Sequence, residues 1–247
     1  MDQNGKEGSF IEHLEELRNR LIVSIVYLAA GTMIGLGITQ KYLLKFILAP
    51  IEQIPEAHLQ VLGPVEKFAA YFKTAMAAGI VFAAPFILLQ IWLFVRPGLH
   101  KHERRFIGWF IPISMFLFIL GASFIYYVLL PTSLSFLLGF DLGVDIDTAI
   151  TLDRYFSFVI VLVLSGGTLF QIPLLAYFLA RFGILSPSML SSRRQYAILI
   201  ATALAAFITP TSDPINLLLL TVPIYILFEI SIVVARFSYR KRRESEE

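Results

Sequence analysis

The chain of 247 residues contains no cysteine, which removes disulfides, thiolate metal sites and a cysteine nucleophile together. It is also poor in charge. Only 15% of its residues are Asp, Glu, Lys or Arg, against 57% hydrophobic ones, and mean hydropathy is +0.75. So little polar surface cannot cover a soluble globule, so lipid is the expected solvent. The four histidines, His13, His58, His100 and His102, fall outside the long apolar runs, which leaves no axial haem ligand and no imidazole proton relay within a bilayer. His100 and His102 flank Lys101 without a third ligand, a poor metal site. No GxSxG, HExxH or phosphate-binding glycine loop occurs, so the chain is expected to be no enzyme, to hold no cofactor and to bind no nucleic acid. The opening MDQNGKEGS is polar and leads into charged residues rather than a short apolar core, so it does not read as a cleaved secretory signal, and the mature chain is expected to begin here.

What the chain has instead is long apolar runs. A spanning helix needs about 20 mostly apolar residues, and candidate spans read as 21–38, 68–95, 106–130, 155–180, 196–208 and 215–235. No soluble domain fits between them, so residues 1–247 are expected to form one all-α integral membrane domain of six transmembrane helices. With the N-terminus inside, Arg18, Arg20, the loop 96–105, Arg181, Arg193, Arg194 and the tail 236–243 share one side, while Asp141, Asp145, Asp147, Asp153 and Asp213 face the other. This satisfies the positive-inside rule and predicts both termini on the cytoplasmic side. An odd number of spans would break the pattern.

Segment 49–64 carries Pro50, Pro55 and Pro64, and reads as a kinked external cap of short turns. The second span is longer than the hydrocarbon needs and is expected to project beyond it, near Glu66, Lys67 and Lys73. The fifth has about 13 apolar residues, some 20 Å of helix against a core of about 30 Å. Either the bilayer thins there, or Ser191, Ser192 and Arg193 snorkel and neighbouring loops fill in.

Polar residues inside spans are rarely left facing lipid. Gln171 lies mid-way along the fourth span, among Gly166, Gly167 and Pro173, which should bend it. It either bonds a neighbouring helix or lines a concavity that receives another polypeptide. Glu229, two turns inside the sixth span, either pairs with a basic residue or serves function directly. Gly31 and Gly35 form a GxxxG pair, read as ordinary packing.

Segment 10–21, FIEHLEELRNRL, places Ile11, Leu14, Leu17 and Leu21 on one stripe, an amphipathic helix at the inner surface before the first span. Glu12, Glu16 and Arg20 follow at spacings of four on its polar side. The loop RPGLHKHERR holds one acid, Glu103, among Arg96, Lys101, Arg104 and Arg105. These acids are either local ion-pair partners or two carboxylates that each take a guanidinium bidentately, which would suit a ligand with paired arginines.

HLEELRNRL, then Ala49 and Pro50, then LHKHERR, ITPTSDP and PIYILFEI, in that order over essentially the whole length, resemble the TatC family of the twin-arginine protein translocase. The resemblance implies a concave, glove-like six-helix bundle in the bacterial cytoplasmic (inner) membrane. It implies a receptor that binds twin-arginine signal peptides at its cytoplasmic face and nucleates export of folded proteins driven by the proton-motive force. Implied partners are TatB-like and TatA-like single-span subunits, further copies of the chain and the lipid bilayer. Carried over residue by residue, Glu16 and Glu103 would bind the two arginines. Leu17, Arg18, His102, Arg104 and Arg105 would shape that surface, Pro50 would set the outer cap, and Thr209, Pro210 and Asp213 would lie on the outer edge used by partner helices. Two positions depart from the family pattern: Gln171 stands where many members carry glutamate, and Leu217 follows Asn216 where glutamine is common. The alternative reading is a small-solute secondary transporter or channel, although the repeated halves and multiple buried charges usual in transporters are missing from the sequence.

Overall fold

In a computed structural model the described residues are 4–54, 58–95, 107–139, 149–181, 183–209 and 214–246, and they are almost entirely helical. The first helix, α1 (Asn4–Ile38), is 35 residues long and unbroken. The amphipathic segment and the first span are therefore one rod, with no turn that would lay the segment flat on a surface. Nothing in 10–21 stops a helix: no proline or glycine interrupts it, and Glu, Leu and Arg all favour the state. A five-residue π-helical turn, Thr39–Leu43, joins α1 to α2 (Leu44–Glu52).

The return helix α3 (Glu66–Val95) spans 30 residues, about 45 Å at 1.5 Å per residue, well beyond a hydrocarbon core. Next come α4 (Ile107–Phe124), a second π-helical turn Ile125–Leu129 and α5 (Leu130–Leu138). The third span thus runs further than its apolar run indicated. The fourth is broken in two, α6 (Leu152–Leu169) and α7 (Ile172–Arg181), with the interruption at Phe170 and Gln171. Pro173 explains the break, since it supplies no N–H to the preceding turn. After α8 (Pro187–Ser192), capped by the Ser186 side chain accepting from the Met189 amide, α9 (Arg194–Ile208) has 15 residues, and α10 (Pro214–Glu246) has 33. Among the described residues five segments are long and apolar enough to cross a membrane, and α9 is a shorter apolar helix.

Helix α1 packs extensively on α3 alone, α3 packs on α4 and α6, α4 on α6, and α10 on α7 and α9. The contacts thus run from α1 through α3 to α4 and α6, and α9 joins α10 while also touching α6. The α1–α3 approach is close because both helices present small residues. A Cβ on Gly35 would sit 2.4 Å from the Ala75 carbonyl oxygen, and one on Gly79 2.6 Å from the Thr32 amide nitrogen. At the far end from the N-terminus, β1 (His58–Gln60) pairs in parallel with β2 (Ala149–Thr151), tying the loop after the first span to the loop after the third. The first loop is thus part short helix and part strand rather than turns alone.

Lipid inverts the usual burial rule on α1. Leu14, Leu17 and Leu21 are exposed, while Glu16, Arg20, Ser24, Gly31 and Gly35 form the more buried stripe toward α3, which Thr39 continues into the π-helical turn.

Candidate functional site

Glu16 and Arg20 are one helical turn apart on the α3-facing side of α1. Arg20 Nη2 donates to Glu16 Oε1 at 3.1 Å, and Arg20 Nη1 donates to Gln90 Oε1 at 3.0 Å. Gln90 is buried near the C-terminal end of α3, so the guanidinium spans the two helices. The Glu16 and Arg20 side chains remain 29% and 32% exposed, open to a solute yet held in one arrangement. A cleft of about 440 Å³ lies here, lined by Glu15, Glu16, Asn19, Arg20 and Val23. Among the described residues Glu16 Oε2 has no hydrogen-bond partner, so the carboxylate keeps acceptor capacity for another donor.

Leu17 and Arg18 are both exposed. At 3.6 residues per turn, Arg18 lies on the far side of the helix from Glu16, so the two do not form one cluster. Glu103, His102, Arg104 and Arg105 lie outside the described residues, as do Pro210 and Asp213.

Gln171 sits in the break between α6 and α7, only 2% exposed. Its Oε1 accepts from Ser114 Oγ at 3.0 Å, and its Nε2 donates to the Ser114 carbonyl at 3.1 Å and to the Gly167 carbonyl at 3.4 Å. These are the contacts of an interhelix bond to α4. Glu229 receives Arg194 as a fork, Nη2 to Oε2 and Nε to Oε1, each at 2.9 Å, while the Tyr225 hydroxyl donates to Oε1 at 3.0 Å. This pair fastens the first turn of short α9 to α10.

Pro50 is buried inside α2. It has no N–H, so the Phe46 carbonyl four residues earlier loses its helical donor. The Tyr126 hydroxyl donates to that carbonyl at 2.6 Å, with the two rings stacked 4.0 Å apart, and the Tyr155 hydroxyl donates to the Ile47 carbonyl at 2.7 Å. Thr209 is buried at the end of α9, its hydroxyl bonded to the Ala205 carbonyl at 2.8 Å. On α3, Lys73 joins Asp153 and Ser157 of α6.

Sequence reasoning missed Gln90, although a lone glutamine in the apolar run IVFAAPFILLQIWLFV was a visible signal. It also missed Ser114 and the tyrosines that serve α2. A serine in a transmembrane helix most often bonds its own backbone, and no local pattern tells which tyrosine meets which carbonyl.

The family model described as "Sec-independent protein translocase protein (TatC)" matches residues 12–223. The Sec-independent protein translocase protein TatC of Aquifex aeolicus is 39% identical over 238 residues, covering 94% of this chain and 97% of its own. That of Koribacter versatilis is 38% identical over 260 aligned positions, covering 100% of this chain and 94% of its own. A solved structure described as the twin arginine translocase receptor TatC superposes with a TM-score of 0.80 at 38% identity, covering 92% of this chain and 99% of that one. With a match that runs through α1, the Pro50 turn, the broken fourth span and the short α9, this chain belongs to the TatC family of Sec-independent protein translocase proteins.

Proposed function

We propose that this membrane protein is the receptor and core subunit of a twin-arginine translocase, with Glu16 and Glu103 holding the arginine pair of a signal peptide at the cytoplasmic face. The observation that carries the reading is Glu16. It is a half-exposed carboxylate on a helix braced against α3, with one oxygen engaged by an arginine and acceptor capacity on the other. A carboxylate already in contact with a guanidinium is chemically suited to a second. Bidentate charge-assisted bonds favour arginine over lysine, because only the planar fork matches both oxygens. Leu17 supplies an apolar shoulder, and His102, Arg104 and Arg105 set the field around the two acids, while Arg18, on the far side of α1 from Glu16, adds only to the general positive charge of that end.

The wider reading follows. The chain lies in the bacterial cytoplasmic membrane as one six-helix unit with both termini inside. TatB-like and TatA-like single-span subunits dock at the outer edge formed by Thr209, Pro210 and Asp213. Folded cargo then crosses by the proton-motive force. Short α9, about 22 Å of helix, leaves the bilayer thin or its ends covered by partners. A solute transporter would need polar groups free at mid-depth. Gln171, mid-way along the fourth span, is instead hydrogen-bonded between helices.

The test is binding of a twin-arginine peptide to the purified protein in detergent, compared with its twin-lysine version. The arginine peptide should bind tighter by at least tenfold, and equal affinity would contradict the reading.

A further inference from the structure

Arg20 presents to Glu16 the group a signal peptide would bring. Its Nη2 occupies Glu16 Oε1, the atom a bidentate ligand also needs, while its Nη1 is held by buried Gln90. Resting on the receptor reading above, we propose that Arg20 is an internal stand-in for the signal's arginine and that Gln90 is the positioning residue that retains it when the peptide displaces it. In the resting state the carboxylate is partly neutralised, so a lone cation meets a weaker site. A ligand must replace Arg20 with a better-matched fork to gain Oε1. The displaced guanidinium keeps its bond to the Gln90 oxygen, so the exchange does not strand a half-buried charge, whose desolvation would otherwise oppose binding. Gln90 suits this part because it is neutral. It accepts one bond from Arg20 without drawing it away from Glu16.

The charge at position 90 therefore sets how firmly Arg20 competes. Gln90→Glu supplies an ionised acceptor on α3 and draws Arg20 off Glu16, whereas Gln90→Leu removes the resting place and leaves Arg20 to bind Glu16 alone. A half-exposed ion pair corresponds to a shift of about two- to fivefold in affinity.

The experiment is titration of one fluorescent twin-arginine peptide into the full-length protein in detergent. Gln90→Glu should bind about two- to fivefold tighter than wild type and Gln90→Leu about two- to fivefold weaker. Arg20→Met should bind tighter by itself, and in that background the two substitutions at 90 should have no further effect. A structural role for Gln90 moves both variants the same way, which would overturn the proposal. So would a gain in Gln90→Glu that persists with Arg20→Met, since it would show direct attraction of the peptide to the new acid. Glu16→Ala separates the two readings. If it leaves affinity unchanged, the receptor reading has failed. If it weakens binding while the variants at 90 do not diverge, only the stand-in role has failed.

Discussion

Removing the Tyr126 hydroxyl tests whether the fold compensates its own prolines. Pro50 leaves the Phe46 carbonyl without a helical donor, and the Tyr126 hydroxyl supplies one at 2.6 Å. Tyr126→Phe keeps the ring stacked on Phe46 and deletes one oxygen, so packing loss is small and the cost is that of a partly buried acceptor left unsatisfied, about 1 to 3 kcal/mol. At roughly 2 to 4 °C per kcal/mol for a chain of this size, the midpoint of thermal unfolding in detergent should fall by about 2 to 12 °C. Pro50→Ala restores the amide that the carbonyl lacks. In that background Tyr126→Phe should cost less than half as much, because residue 50 then bonds residue 46 directly. A double-mutant cycle followed by tryptophan fluorescence reads the difference. Equal costs of Tyr126→Phe in both backgrounds would refute the argument that the tyrosine serves the proline.

Gln171→Leu should lower stability by about 1 to 3 kcal/mol through loss of the Ser114 bonds. Export should then fall only in proportion to folded protein, whereas Gln171→Glu, whose protonated carboxyl can donate to the same carbonyl and accept from the same hydroxyl, should keep it; lost export at normal folded yield would restore a direct role. Exchanging the charges of Arg194 and Glu229 should recover most of the stability lost in either single reversal, by up to about 1 kcal/mol for so exposed a pair, and no recovery in thermal melts would show that the fork does not hold α9 to α10. Because the chain has no cysteine, single cysteines at Gly5, Gly63 and Glu246 give a clean topology test. An impermeant thiol reagent applied to whole cells should label Gly63→Cys alone, where added atoms meet open space, and labelling at either terminus would reverse the orientation.

Apolar runs sufficed to show that long helices of membrane-crossing length form, because a bilayer demands long runs. Helix length at α9 was legible for the same reason. What local pattern could not show was continuity. The junction of the amphipathic segment with the first span has no breaker, but a surface-lying helix and an extended rod share one sequence signature until α3 is seen to brace Arg20. The π-helical turns at 39–43 and 125–129 shift register without changing composition, so they escape hydropathy. Pro173 signalled a bend in the fourth span, yet the break gains its meaning from Ser114, a residue 57 positions away. Of the Glu16–Arg20–Gln90 arrangement, the Glu16–Arg20 spacing of four was legible in the sequence, whereas the tie through Arg20 to Gln90 crosses helices and carries no spacing rule.

On the receptor reading, Glu16 and Glu103 hold the signal's two arginines. The most direct test is titration of one twin-arginine peptide against Glu16→Ala, Glu103→Ala, Glu12→Ala and Glu15→Ala under identical salt. Taking one partner from a partly desolvated charge pair costs about 2 to 5 kcal/mol, roughly 30-fold to several thousand-fold in affinity, while a solvent-exposed ion pair contributes about 0 to 1 kcal/mol. Large losses are expected for Glu16→Ala and Glu103→Ala with near-wild-type binding for the other two variants, and four similar small losses would rule out Glu16 and Glu103 as the arginine-binding pair.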